Sequence, residues 1–160
     1  MCDYRAQLST TEGALRVLVV DDNADVAESL GVLLDMHGHR VLTCLHPDEA
    51  LKVAPSFAPD VCVLDIGLPR MTGHELAKAL RSAGLARAIY IAVTGYGSEE
   101  ARRATETAGF AMHLIKPVDP RYLLEKLATI KQARATDDLG PKSGSFGSLR
   151  VASEASVRAS

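Results

Sequence analysis

The sequence predicts an α/β fold in which a parallel five-stranded sheet is covered by helices on both faces. Two observations point there. Short apolar β-type runs alternate with helical stretches along the chain, a pattern that argues for βα units. Two of those runs, Val61 to Leu64 and Ile89 to Val93, are apolar without interruption, as strands buried on both faces should be.

Each element has its own signal. Leu15 to Val20 reads as the first strand, after which Asp22 or Asn23 can cap a helix. Val26, Leu30, Leu33 and Leu34 form one apolar stripe of that helix, and Gly38 stops it. Arg40 to Leu45 is the second strand, and Pro47 opens a short helix through Val53. Pro55 and Pro59 frame a loop before the third strand, Val61 to Leu64. Thr72 or Gly73 begins a third helix carrying Leu76 and Leu80, closed near Gly84. The fourth strand is Ile89 to Val93, and Ser98 caps a fourth helix through Ala108. Ala111 to Ile115 is the fifth strand, and Asp119 and Pro120 start a last helix striped by Leu123, Leu127 and Ile130. Five βα units fit a flavodoxin-like three-layer sandwich with strand order 2-1-3-4-5.

The predicted organisation is an N-terminal extension over residues 1–14, one domain over 15–134 and a flexible tail over 135–160. Ser, Gly and Ala dominate that tail, so it buries too little apolar surface to offset its ordering entropy. The net charge of -2 gives no broad attraction to nucleic acid or anionic membrane. No apolar run approaches the ~20 residues of a membrane helix. Cys2, Cys44 and Cys62 show no paired ligand spacing, and the last two sit in apolar runs as small buried hydrophobes. A reducing cytoplasm is the setting this suggests.

Function is written at the ends of the apolar runs. The first meets Asp21-Asp22, the third Asp65, the fourth Thr94 and the fifth Lys116-Pro117. An open parallel sheet gathers the carboxyl ends of its strands along one edge, where ligands bind. The result is an acidic pocket with a cationic wall, suited to a phosphoryl group and a divalent metal. Each residue has a plainer reading: Asp21-Asp22 as helix caps, Thr94 as a turn residue, Lys116 as a strand end. Their common edge favours the site over the separate readings.

These residues, with the segments Val19 to Asn23, Asp65 to Pro69 and Thr94 to Gly97, resemble the receiver domains of two-component response regulators. The stretch from Thr94 to Asp119 looks most like receivers attached to, or working beside, hybrid histidine kinases. The resemblance implies Mg²⁺ held by Asp22 and Asp65, by Asp21 through water and by the backbone carbonyl of Gly67. It implies that Asp65 is the phosphoacceptor, assisted by Lys116 and the Thr94 hydroxyl, and that the Lys116-Pro117 bond is cis. His113 occupies the place of the family's usual aromatic switch, with a half-exposed strand histidine as the alternative.

The expected protein is a stand-alone receiver that is not an enzyme beyond its own phosphorylation and dephosphorylation. Its phosphate would come from a histidine kinase or histidine phosphotransfer protein. It would act on an unknown downstream protein through the face formed by the fourth helix, fifth strand and fifth helix, with no direct role for nucleic acid or membrane. Two alternatives stay open: an aspartyl-nucleophile phosphohydrolase dependent on Mg²⁺, and a phosphate sink or shuttle without output. The first needs an acid soon after the nucleophile, where the chain has Ile66-Gly67. A flavin or nucleotide binder lacks a phosphate-cradling glycine loop after the first strand. A zinc site at His37 and His39 has only their spacing in its favour.

Overall fold

A computed structural model describes residues 3–5 and 13–137. Six strands form one sheet: β1 (Asp3–Arg5), β2 (Arg16–Val20), β3 (Arg40–Cys44), β4 (Val61–Asp65), β5 (Ile89–Thr94) and β6 (Met112–Ile115). They lie in the order β1-β3-β2-β4-β5-β6. All neighbours from β3 to β6 are parallel, so the five expected strands stand in the expected order. Five helices cover the sheet: α1 (Ala24–Met36), α2 (Pro47–Phe57), α3 (Gly73–Leu80), α4 (Glu99–Thr107) and α5 (Pro120–Asp137).

Strand parity divides the core. Val17, Val19, Val61, Val63, Ile91 and Val93 pack on one face with Leu34 of α1 and Leu123, Leu127 and Ile130 of α5. Their sequence neighbours Leu18, Val20, Cys62, Leu64, Tyr90 and Ala92 pack on the other with Ala50 and Ala54 of α2 and Leu76 and Leu80 of α3. Alternate side chains of a strand point to opposite faces, so only an unbroken apolar run can fill both layers. In β6, Met112 and Leu114 join the α1/α5 layer, which turns His113 toward α4.

Side chains start the helices as the sequence suggests. Asn23 caps α1 by accepting from the Asp25 and Val26 amides. Thr72 and Glu75 make a reciprocal capping box on α3, and Ser98 accepts from Ala101 on α4. Each bond satisfies an amide that the first helical turn leaves without a partner.

The structure differs from the sequence reading in three places. The first is α2, which runs through Pro55 to Phe57 and closes on Ala58 in the left-handed region at φ 51°. Proline removes one helical hydrogen bond, but Ala50 and Ala54 are completely buried against the sheet, and that packing carries the helix past Pro55. The second is the extension, expected to be irregular, which contributes β1 antiparallel to β3 with Asp3 opposite Thr43. Three residues are too few to show periodicity. The third is Cys44, which is disulfide-bonded and not a free thiol. Pairing of β1 along β3 brings the start of the chain beside this strand, a proximity that the sequence does not reveal; Cys2 itself lies outside the described residues. Cys62 is a free buried thiol, and burial pushes it up to about 12. The expected tail also lies outside the described residues beyond Asp137, and α5 reaches that far. No helix among the described residues is long and apolar enough to cross a membrane.

One glycine sets how closely α3 approaches the sheet edge. A Cβ on Gly73 would stand 2.5 Å from the Asp65 carbonyl oxygen and 2.8 Å from the Ile66 Cα. Both are backbone atoms with little freedom to yield. Gly73→Ala is therefore expected to lower stability by about 1–3 kcal/mol through overpacking, read as a lower urea midpoint. An unchanged midpoint would show that α3 shifts at no cost.

Candidate functional site

The ends of β2, β4, β5 and β6 bring the predicted residues to one edge. Asp21 immediately follows β2, where its amide donates to the Cys44 carbonyl at 3.1 Å. Asp65 closes β4, its strand bound on both sides by parallel neighbours. Thr94 closes β5, and its carbonyl accepts the Lys116 amide at 2.8 Å. The Lys116-Pro117 bond is cis, as the resemblance implied.

Asp21, Asp22 and Asp65 each offer a carboxylate oxygen within 4.8 Å of the others. Asp21 and Asp65 are buried, at 2% and 6% exposure, while Asp22 faces solvent. Buried acids this close are costly unless compensated. Part of the compensation is Lys116, whose Nζ lies 2.9 Å from Asp21 Oδ2 and 3.2 Å from Asp65 Oδ2. Local amides supply more. Asn23 donates to Asp21 Oδ1 and Gly67 to Asp65 Oδ1, both at 2.9 Å.

Charge balance is incomplete at Asp21. Burial raises its proton affinity above the ordinary carboxylate value, with the Asp65 charge acting in the same direction, and these outweigh the bonds from Lys116 and Asn23. Burial alone would lower the Lys116 amine, but its bonds to Asp21 and Asp65 prevail and raise it. The donor set is therefore hard, oxygen-rich and short of positive charge, which fits a small divalent cation better than a soft metal. Gly67 has its amide turned onto Asp65 and adds no side chain to the pocket.

Around this centre, Thr94 is buried at 3% exposure, and its Oγ1 accepts the Tyr96 amide at 3.1 Å. Tyr96 itself is 75% exposed. His113 is buried at 6% exposure, so the half-exposed alternative does not hold. Its Nε2 lies 3.3 Å from the Tyr96 carbonyl oxygen. Residue parity on β6 explains this: the ring points under α4, where no large apolar side chain competes for the space. The other histidines stand apart from the acidic centre. Among the described residues, the three aspartates are the one cluster of three or more His, Cys, Asp or Glu side chains able to hold a metal.

Sequence reasoning took Gly73 only as a possible helix start and missed its close approach beneath Asp65. It also passed over Thr105, which is 1% exposed, and gave His74 no partner. His74 and Thr105 lie 31 residues apart, so no spacing rule could have joined them.

A doubly wound sheet with this acidic, lysine-walled edge defines the CheY-like class of α/β domains. The model of the response regulator receiver domain matches residues 17–128. The chain belongs to that family, the receiver domains of two-component signalling. An uncharacterised 14.6 kDa protein of Leptolyngbya boryana is 35% identical over 71% of this chain and 88% of its own length. The response regulator MprA of Mycobacterium avium is also 35% identical, over 86% of this chain, but the match spans 60% of that protein. Among solved structures, the chemotaxis protein CheY4 of Vibrio cholerae superposes with a TM-score of 0.69 at 30% identity, covering 73% of this chain and 98% of that one.

The titrating groups fix a pH dependence. Burial lowers the proton affinity of His39, His74 and His113 below the usual histidine value. Below the unfolded value of ~6.5 the unfolded chain then binds more of these protons, so stability falls as pH drops. Asp21 has the opposite sign and offsets part of the loss. The urea midpoint is expected to be lower at about pH 5.5 than at about 7.5, with the three imidazoles titrating below the free-histidine value by NMR. A midpoint that rises on acidification would contradict the assignment.

Proposed function

We propose that this receiver accepts a phosphoryl group on Asp65 and signals through the face formed by α4, β6 and α5. The observation that carries this reading is the position of Asp65. It is the buried acid on the central strand of the edge, 3.2 Å from the Lys116 amine and clustered with two further carboxylates.

Asp22 and Asp65 would hold Mg²⁺ directly, with Asp21 through water and the Gly67 carbonyl as a further ligand. Bound there, the ion would neutralise the excess negative charge that a phosphoryl group brings. The chain's own residues do the rest. Asp65 carboxylate oxygen forms a bond to phosphorus as the phosphorus–nitrogen bond of a donor phosphohistidine breaks, and the electron pair leaves with the donor imidazole. Lys116 lies against Asp65 Oδ2 and offers positive charge where the transferred oxygens gather. Thr94 supplies a hydroxyl to one of those oxygens.

The donor we infer is a histidine kinase or histidine phosphotransfer protein, in the cytoplasm, and the receiver catalyses only its own loading and unloading. A phosphohydrolase acting on small esters needs a general acid close to the nucleophile, and Gly67 has none to give.

A small phosphodonor with Mg²⁺ is expected to label the wild type and leave Asp65→Asn unlabelled; equal labelling of the variant would remove Asp65 from this role. Asp22→Ala is expected to weaken Mg²⁺ binding by at least about tenfold, the scale of one lost ligand interaction, in a calorimetric titration. Wild-type affinity in that variant would place the ion elsewhere. Truncation after Asp137 is expected to leave labelling intact, and lost labelling would assign residues 138–160 a part in the chemistry.

A further inference from the structure

Beside the acidic pocket, three polar side chains from three elements meet where an apolar contact would be ordinary. Thr105 of α4 lies with its Oγ1 3.1 Å from His113 Nδ1 and 3.4 Å from His74 Nε2. The same hydroxyl is 2.9 Å from the Ala101 carbonyl oxygen one turn earlier. At the far side of His113, Nε2 faces the Tyr96 carbonyl oxygen at 3.3 Å. The Tyr96 amide in turn donates to Thr94 Oγ1. A continuous polar path therefore runs from α3 through α4 and β6 to the hydroxyl at the sheet edge.

Proton counting selects one arrangement. The Tyr96 carbonyl can only accept, so His113 must carry a proton on Nε2 to bond it. If the Thr105 hydroxyl gave its proton to Ala101, His113 would also need a proton on Nδ1 and would be a buried cation. Burial opposes that charge most strongly, and Arg102 and His74 oppose it further. Together these outweigh the bond to the Tyr96 carbonyl and a smaller contribution from Glu106, which favour it. The Thr105 hydroxyl lies nearest the Ala101 carbonyl, to which it can donate; with His113 neutral it turns from that carbonyl, donates to His113 Nδ1 and accepts from His74 Nε2–H. Ala101 keeps its helical partner, the Thr105 amide. Every polar group in the path is then satisfied without a charge.

We propose that His74, Thr105 and His113 form a neutral hydrogen-bonded relay that holds the Thr94–Gly97 loop through the Tyr96 carbonyl. His74 and Thr105 are thereby positioning residues for Thr94, although neither touches the acidic pocket. The proposal rests on the phosphoacceptor reading for its consequence. The resemblance puts His113 in the place of the family's switch side chain, which a phosphoryl group would favour inward; the ring is inward here, at 6% exposure, and the relay holds it there. Because coupling between two sites is reciprocal, a relay that favours the inward ring must raise the pocket's affinity for a phosphoryl group by the same factor. Protonation of His113 removes the Nδ1 acceptor and breaks the path at its centre.

The test combines imidazole ¹⁵N NMR with a titration of beryllofluoride, a phosphoryl mimic, in the presence of Mg²⁺. Wild-type His113 is expected as the Nε2–H tautomer with a hydrogen-bonded Nδ1, and Thr105→Val is expected to shift the Nδ1 resonance by removing that bond. Thr105→Val and His74→Leu are expected to bind the mimic more weakly by roughly fivefold, the lower range of such couplings, with Mg²⁺ affinity unchanged. Thr105→Ser should restore both readouts. Should Thr105→Val fail to fold, His74→Leu carries the comparison. Wild-type mimic affinity in the folded variants, or an Nδ1–H tautomer of His113 in the wild type, would overturn the relay. Failure of the wild type to bind the mimic while Mg²⁺ still binds would instead overturn the phosphoacceptor reading. The relay would then be judged by whether Thr105→Val changes the His113 Nδ1 resonance and the Tyr96 amide shift.

Discussion

The constraint on which this structure turns is the enforced closeness of carboxylates at one sheet edge. Asp21 and Asp65 are nearly sealed from solvent and share one amine, Lys116, with Asp22 beside them. Like charges at such distances destabilise a fold unless other groups answer them. Here one lysine and two backbone amides answer three carboxylates, and burial, with the Asp65 charge acting in the same direction, still raises the proton affinity of Asp21. The pocket is left short of positive charge, which the proposed cation would supply.

Holding that tension requires a stiff frame. The strands behind the pocket are buried on both faces by two separate apolar layers. Neither β2 nor β4 can shift to relax the acids without opening both layers. Gly73 brings α3 directly against the Asp65 backbone carbonyl, so the end of β4 has no room to shift toward that helix either. The stability of the sheet thus sustains a locally unfavourable arrangement at its edge, a use of global packing that is common at functional sites.

Legibility in the sequence followed the range of the interactions. β4 and β5 could be read because burial on both faces leaves an unbroken apolar run, and α1 because its stripe repeats at helical spacing. Asp21, Asp65, Thr94 and Lys116 stood out because each ends such a run, and a parallel sheet turns separate strand ends into one edge. What escaped had no local mark. Strand β1 is too short to carry a period, α2 passes a proline on the strength of burial, and the bond at Cys44 has no local mark in the sequence. His74 and Thr105 looked like ordinary surface residues until β6 parity turned His113 under α4 beside them.

The same parity explains why stiffness ends where it does. On the α1/α5 face, β6 contributes Met112 and Leu114 to the large apolar layer. On the opposite face it offers His113 to a helix whose single buried residue is Thr105. An apolar layer packs by volume and tolerates few states, whereas a contact made of three hydrogen bonds can be rearranged by moving one proton or turning one hydroxyl. The loop that carries Thr94 is anchored to this softer side through Tyr96. The protein therefore has its least deformable packing behind Asp65 and its most adjustable packing beside Thr94.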